Sequence, residues 1–226
     1  MKRMFLLAMV VLLVNGMAKA QDFVGSFKML ISGDEVMQPV EMLCYYKDQA
    51  WAMTMAPEQM KGGKVRIIFD AKTKETYTLM DMNGNKMGFK GKAKDLEEMM
   101  KDKAEPKITE TKETKAIDGH PCKKVIVETE DSLIDMWVAQ DMAFNLQSMF
   151  ANMGGPKGGG PTRNFSKYAK YFKGPSLETL VTDKKKGTKT TMLIKDIKKG
   201  DVPADIFSTE GYQLMDSGMM GGAGKN

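Results

Sequence analysis

His120 and Cys122 stand two residues apart in "IDGHPCKK", and they are the chain's only imidazole and one of its two thiols. A thiol beside an imidazole is what nucleophilic catalysis uses, and Cys with His is what zinc uses. Neither chemistry fits this spacing. Asp118-Gly119 is a hairpin turn signal and Pro121 holds His120 extended, so both side chains fall at the corner of a turn, away from any cleft. One histidine and two cysteines with no C-x-x-C spacing leave a metal ion short of ligands. The expectation is a solvated turn histidine and no metal site. Cys122 has one other candidate partner, Cys44. In an exported chain the two either form one disulfide, closing a loop of about 80 residues and contributing about 4 kcal/mol in the chain-entropy picture, or stay as two buried thiols. Spacing alone is compatible with both.

Two further stretches could carry chemistry. "GGPKGGGPT" at 154–162 is rich in glycine but lacks Gly-Lys-Ser/Thr, and Pro156 and Pro161 interrupt it, so it reads as a linker rather than a phosphate loop. Methionine is abundant, with 23 in the sequence. Met53-Thr54-Met55 and Met80-Asp81-Met82 each put two thioethers on one strand face, a spacing that soft-ligand copper sites use. The alternative is that polarizable, flexible methionines fill a core or line an adaptable apolar pocket, and their spread over the whole chain favours this. The acids lie mostly in charged stretches beside lysines, as on a solvated face. No nucleophile, base or metal cluster emerges, so the expectation is a protein without enzymatic activity and without a cofactor.

The elements that position these residues begin after residue 20. Lys2 and Arg3, an apolar run from Met4 to Val14, and Ala18-Lys19-Ala20 read as a cleaved secretion signal, too short to remain as a membrane anchor. Position 21 is Gln, so no lipid-bearing cysteine follows, and the expectation is a periplasmic or secreted protein with no transmembrane anchor after cleavage. The signal carries three cations and no acid, which lowers the net charge from +5 to +2 and removes the case for nucleic acid. From Phe23 to Phe89 the pattern alternates. Phe27, Met29 and Ile31 share a face, as do Met42, Cys44 and Tyr46, then Trp51, Met53 and Met55, then Val65, Ile67 and Phe69. "SGDE", "KDQ", "DAKTKE" and "NGN" separate them as turns, the last with the Asn-Gly signal of a type I′ hairpin.

"KAKDLEEMMKDKAEPK" has helical spacing and stops at Pro106. Strands resume with "KITETKETKAI", polar enough for a sheet edge, then "CKKVIVETE" against "SLIDMWVAQ". Asp141 is placed to cap a helix carrying Met142, Leu146, Met149, Phe150 and Met153 on one stripe, and a second helix carries Phe165, Tyr168, Ala169 and Phe172. Two last strands, "SLETLVTD" and "TKTTMLIKDI", are followed by "DVPADIF", which leads out. The chain reads as one domain over 21–215, with a flexible Gly/Pro-rich loop at 153–163 and a disordered tail over 216–226.

"IDGHPCKKVIVETEDSLIDMWVAQDM" and "GPSLETLVTDKKKGTKTTMLIKDIKKGDVPADIFSTEGYQL" resemble an exported, Bacteroidota-type family of unknown function (DUF4412), with Gly119, Cys122, Trp137, Phe207, Gly211 and Tyr212 carrying the match. That family is similar in turn to the LolA/LppX-like half-barrel lipoprotein carriers. The resemblance implies an α+β fold in which a curved antiparallel sheet forms a half-barrel and a few short helices cover its concave face. It implies binding of a lipid, a lipidated protein or another hydrophobic ligand in the cell envelope, or, with a filled core, docking of an envelope protein. Met142, Leu146, Met149, Phe150, Phe165, Tyr168, Trp137, Trp51 and Met53 are then the residues expected to line the cavity or form a lid.

Overall fold

The structure, a computed structural model, describes residues 23–56, 62–70, 72–92, 105–144, 146, 149 and 172–216. Their strands form two meanders. The first runs β1 (Gly25–Gly33), β2 (Val40–Lys47), β3 (Ala50–Met55), β4 (Lys64–Asp70), β5 (Glu75–Met82) and β6 (Asn85–Lys92). The second runs β7 (Lys107–Ile117), β8 (His120–Glu128), β9 (Ser132–Ala139), β10 (Ser176–Asp183) and β11 (Lys189–Lys199). Each strand pairs antiparallel with its neighbour in sequence within its meander, and β1 pairs antiparallel with β11 to join the two. A short strand, β12 (Gln213–Asp216), adds parallel to β6, giving one sheet in the order β12-β6-β5-β4-β3-β2-β1-β11-β10-β9-β8-β7. Twisted sheets this wide curl. This one is a curved, open half-barrel whose two edges, β7 and β12, do not meet.

The hairpin chemistry follows the turn residues. Asn83 and Gly84 both have positive φ, as do Asp118 and Gly119, and Asp48 and Gln49, which matches the backbone twist that two-residue hairpins require. The Asp81 carboxylate fixes one turn by accepting from the Gly84 N–H at 2.9 Å. The polar strand predicted to lie at an edge does so. β7 carries a register shift between Glu110 and Thr114, and Glu110 and Glu113 pair with Lys123 and Lys124 on β8, features that blunt an edge against further pairing.

The inner face holds the core, and it is the face the alternation predicts. Phe27, Cys44, Met53 and Ile67 lie in one cross-strand row, continued by Thr78 on β5 and Phe89 on β6. From the second meander Val125, Val127, Ile134, Met136, Thr179, Met192 and Ile194 are buried in the structure, all but Thr179 joining the same cluster.

The helical cover is expected in two places. The segment 93–104 lies outside the described residues, as do Phe150, Phe165 and Tyr168. No helix starts directly at Asp141: residues 142–144 and 146 are irregular, Met149 is helical, and the Asp141 carboxylate sits 2.9 Å from Nδ1 of His120 rather than over a helix N-terminus. Phe144 explains why the chain stays irregular here. Its ring stacks on Phe23 at 4.4 Å and meets Tyr46 and Phe27 at 5.4 and 5.8 Å, so the segment dips into the mouth of the sheet. Among the described residues no helix is long and apolar enough to cross a membrane.

The closing segment does more than lead out. Residues 201–212 cross the outer face of the first meander as a strap, with one 3₁₀ turn at Ala204–Phe207. The strap packs Val202, Ile206, Phe207 and Tyr212 on a second, outer cluster of Ala52, Ile68 and Leu79. Arg66 on β4 anchors it, donating from Nη1 to the Asp205 carbonyl at 2.8 Å and from Nη2 to the Ser208 carbonyl at 3.0 Å. Asp216, expected to open the tail, ends β12 instead.

Candidate functional site

The residues that first suggest chemistry form a structural corner. His120 opens β8 opposite Ile117, its ring mostly covered and hydrogen-bonded to Asp141, so it is less solvated than a turn histidine would be. The Cys122 thiol donates to the His120 carbonyl at 3.4 Å. Burial pushes this thiol above its ordinary pKa, which opposes the thiolate that a nucleophile needs.

Cys44 is on β2, fully buried on the inner face, and both cysteines are free. Between β2 and β8 lie β1, β11, β10 and β9. Both sulfurs are reduced and buried in the structure. The disulfide alternative therefore gives way to two buried thiols. Among the described residues no three of His, Cys, Asp and Glu converge as a metal site would require.

The thiols give a measurable pH effect. Burial holds Cys44 far above its ordinary value of 9.0, so in the folded state it stays neutral where the unfolded thiol ionises. Its contribution to stability is complete below the unfolded pKa and is lost as pH rises from there toward the folded value. The slope is up to about 1.4 kcal/mol per pH unit. Urea denaturation from pH 8 upward should show this slope in the natural sequence and a shallower one in Cys44→Ala. A thiol reagent should label neither cysteine before unfolding.

Of the residues expected to line a cavity, Trp51, Met53, Met142, Leu146 and Met149 are brought together on the inner face, each at most 6% exposed. They are core. Met142, Leu146 and Met149 join Phe144 in the inner cluster, where the Phe144 ring meets Phe23, Phe27 and Tyr46. Trp137 is elsewhere. It alternates with Met136 and Val138, which face inward, so its ring lies on the outer face between Lys124 and Glu178, under the Lys115 ammonium at 4.3 Å. β9 carries two apolar sets, Leu133 with Trp137 and Ile134 with Met136 and Val138, and residue size does not tell which one is inside.

The inner face changes along its rows. In the row from Phe27 to Met215, Phe27, Cys44 and Met53 are sealed; Ile67, Thr78 and Phe89 are partly open; Met215 on β12 is 41% exposed. The adjoining row of Met55, Val65, Met80 and Met87 is partly open throughout. The side chains stay apolar while their cover thins, leaving a methionine-rich inner surface over β4, β5, β6 and β12. At its border the Trp51 indole, stacked on Phe69 at 5.8 Å, has its Nε1–H buried with no acceptor among the described residues. Such a donor costs about 1–3 kcal/mol unless something supplies an oxygen.

A second concavity lies on the outer face under the strap, with a volume of about 800 Å³. Lys64, Arg66 and Lys86 from the strands and Tyr212 from the strap line it. Sequence reading by alternation treats the outer face as solvated and misses this place. One signal was available: Ile67-Ile68-Phe69 breaks the alternation, which requires an apolar partner on both faces.

The chain matches several solved structures, at low identity and with TM-scores below 0.5. For the structure of PNGF-II the identity is 14% and the TM-score 0.42, covering 86% of this chain but 31% of that one, so this chain spans less than a third of the PNGF-II chain. For a DUF1329 family protein from Desulfovibrio piger the values are 12% and 0.35, covering 87% and 93% of the two chains. For a domain from Vibrio parahaemolyticus given as an outer membrane lipoprotein-sorting protein they are 8% and 0.20, covering 81% and 88%. No curated protein matches the sequence. Residues 23–210, from the aromatic that precedes β1 to the strap, match the family described as Domain of unknown function (DUF4412), and the chain belongs to that family.

Proposed function

We propose that this protein is a non-enzymatic, exported binding protein that holds the acyl chain of a lipid or lipidated partner against the inner face of β4, β5, β6 and β12. The observation that carries the reading is the thinning cover along the inner rows. A filled core would bury Met80, Met87 and Phe89 as completely as Met29 and Met53, yet they remain partly open. Methionine suits this task because its unbranched, polarizable side chain repacks around an irregular apolar guest. Met142, Leu146 and Met149 belong in this reading to the fixed wall of the site, while Phe150, Phe165 and Tyr168 are proposed to cover it. The leader-like segment 1–20 supports a place in the cell envelope.

Titration with a fluorescent fatty acid decides the matter. The natural sequence should bind it and release it to phospholipid, and native mass spectrometry of protein taken from its own envelope should show a lipid adduct. Met80→Asp with Phe89→Asp should weaken binding at least tenfold, because a charge on the partly open surface must be desolvated by the guest. Urea denaturation verifies that the double variant is folded. Unchanged affinity in a folded double variant would remove this site.

A second reading, docking of an envelope protein through the outer surface, is favoured by the sealed half of the core, where no guest fits. It predicts no lipid adduct and a crosslinked partner instead.

A further inference from the structure

We propose that the outer pocket beneath the strap is a second ligand site, for a small amphiphile with a single carboxylate head. It does not rest on the inner-face reading, because it lies on the opposite side of the sheet.

The first observation is a group of cations without ion-pair partners beside a concavity. Some lysines of the outer face are paired, Lys28 with Asp196 at 3.0 Å, Lys90 with Glu75 at 2.8 Å and Lys115 with Glu178 at 2.8 Å, and others, such as Lys47, stand in open solvent. At the pocket the unpaired cations border a cavity instead. Lys64 and Lys86 flank Asp81 in one cross-strand row, and Arg66 follows Lys64 on the same face. Among the described residues no carboxylate comes within 4 Å of any of the three. Asp81, the neighbour between the two lysines, accepts from the Gly84 N–H through Oδ1 and forms no ion pair with either of them. Glu41 at the rim is held by Lys28 and Lys195. Arg66 is committed to two strap carbonyls, which leaves the ammonium groups of Lys64 and Lys86 as available donors.

The second observation is the shape and lining of the space. About 800 Å³ falls within the roughly 300–1,000 Å³ of small-molecule sites. Leu43 and Ile206 supply apolar wall beside the lysines, and Lys86 lies 5.7 Å over the Tyr212 ring. The strap side carries Asp205 and Glu210, which oppose a multiply charged head and so favour a carboxylate over a phosphate. An apolar body on the sheet, with one negative charge between two unpaired ammonium groups, uses every part of the lining.

Calorimetric titration of the full chain with octanoate, octanol and octyl phosphate tests the site. Octanoate should bind tightest of the three. Lys64→Gln with Lys86→Gln, both exposed positions whose loss leaves the urea midpoint in place, should weaken octanoate at least tenfold while octanol changes little. Binding should also fall with added salt, as a charge-led contact does. Met80→Asp with Phe89→Asp should leave this binding intact, so failure of the inner-face site and failure of this one are read separately. Octanoate affinity unchanged by the double lysine variant, octanol binding as well as octanoate, or no binding by any of the three would each overturn the proposal. Octyl phosphate binding tighter than octanoate would overturn the assigned head group.

Discussion

Trp51→Ala should destabilise the protein by about 3–5 kcal/mol, whereas Trp51→Phe should cost less than about 1.5 kcal/mol. Trp51 is fully buried on β3, between Tyr46 on β2 and Phe69 on β4, at the border of the sealed and the partly open inner face. Alanine leaves a cavity that the surrounding strands cannot close, because their spacing is fixed by the hydrogen-bond ladder, and it removes the stack on Phe69. Phenylalanine keeps a ring there and deletes an N–H that has no acceptor among the described residues, so part of the lost area is offset by relief of an unmet donor. Urea denaturation of the two variants separates the terms. Equal losses would mean that the indole nitrogen makes a bond in solution.

The first meander was legible because its strands obey one rule. Phe27, Cys44, Met53 and Ile67 fall at alternate positions with turn residues between the strands, and the register follows once the inward set is chosen. The edge position of β7 was legible from its lysines, glutamates and threonines. Three things were not. β12 has four exposed residues and draws its order from β6 and from Leu214, which sits beside Gly88 and Leu79, a contact no local pattern encodes. Trp137 faces out because a cation, Lys115, covers it, and Lys115 lies on a strand two places further along the sheet. The outer pocket depends on which lysines lack partners, and pairing between strands far apart in sequence decides that. Phe207, Gly211 and Tyr212, which carry the family resemblance, belong to the strap region, so the resemblance marked this segment where alternation could not.

Gly25→Ala should cost about 3 kcal/mol or more, well above the roughly 1 kcal/mol expected of Gly119→Ala. The two glycines differ in what a methyl group would meet. At Gly119 the φ is +82° and nothing lies within 4 Å, so alanine bears only the strain of a left-handed turn. At Gly25 a Cβ would stand 2.1 Å from the Lys198 carbonyl oxygen and 3.0 Å from its carbon. Those are backbone atoms of β11 and cannot swing aside as a side chain can. Relief requires β1 and β11 to separate where the register already shifts, between Ser26 and Lys28, and where the Gly200 N–H reaches the Val24 carbonyl at 3.1 Å. The position matters because β1 and β11 are the only joint between the two meanders in the described sheet; every other antiparallel pair is a hairpin neighbour or follows directly in the chain. Loosening that joint exposes the core that Phe27, Met29, Met192 and Ile194 share across it. Denaturation should therefore show a lower midpoint for Gly25→Ala, and hydrogen exchange should quicken on both β1 and β11 while the β5 to β6 hairpin keeps its protection. A loss under 1 kcal/mol with unchanged exchange at this joint would mean that the strands do not approach as closely as described.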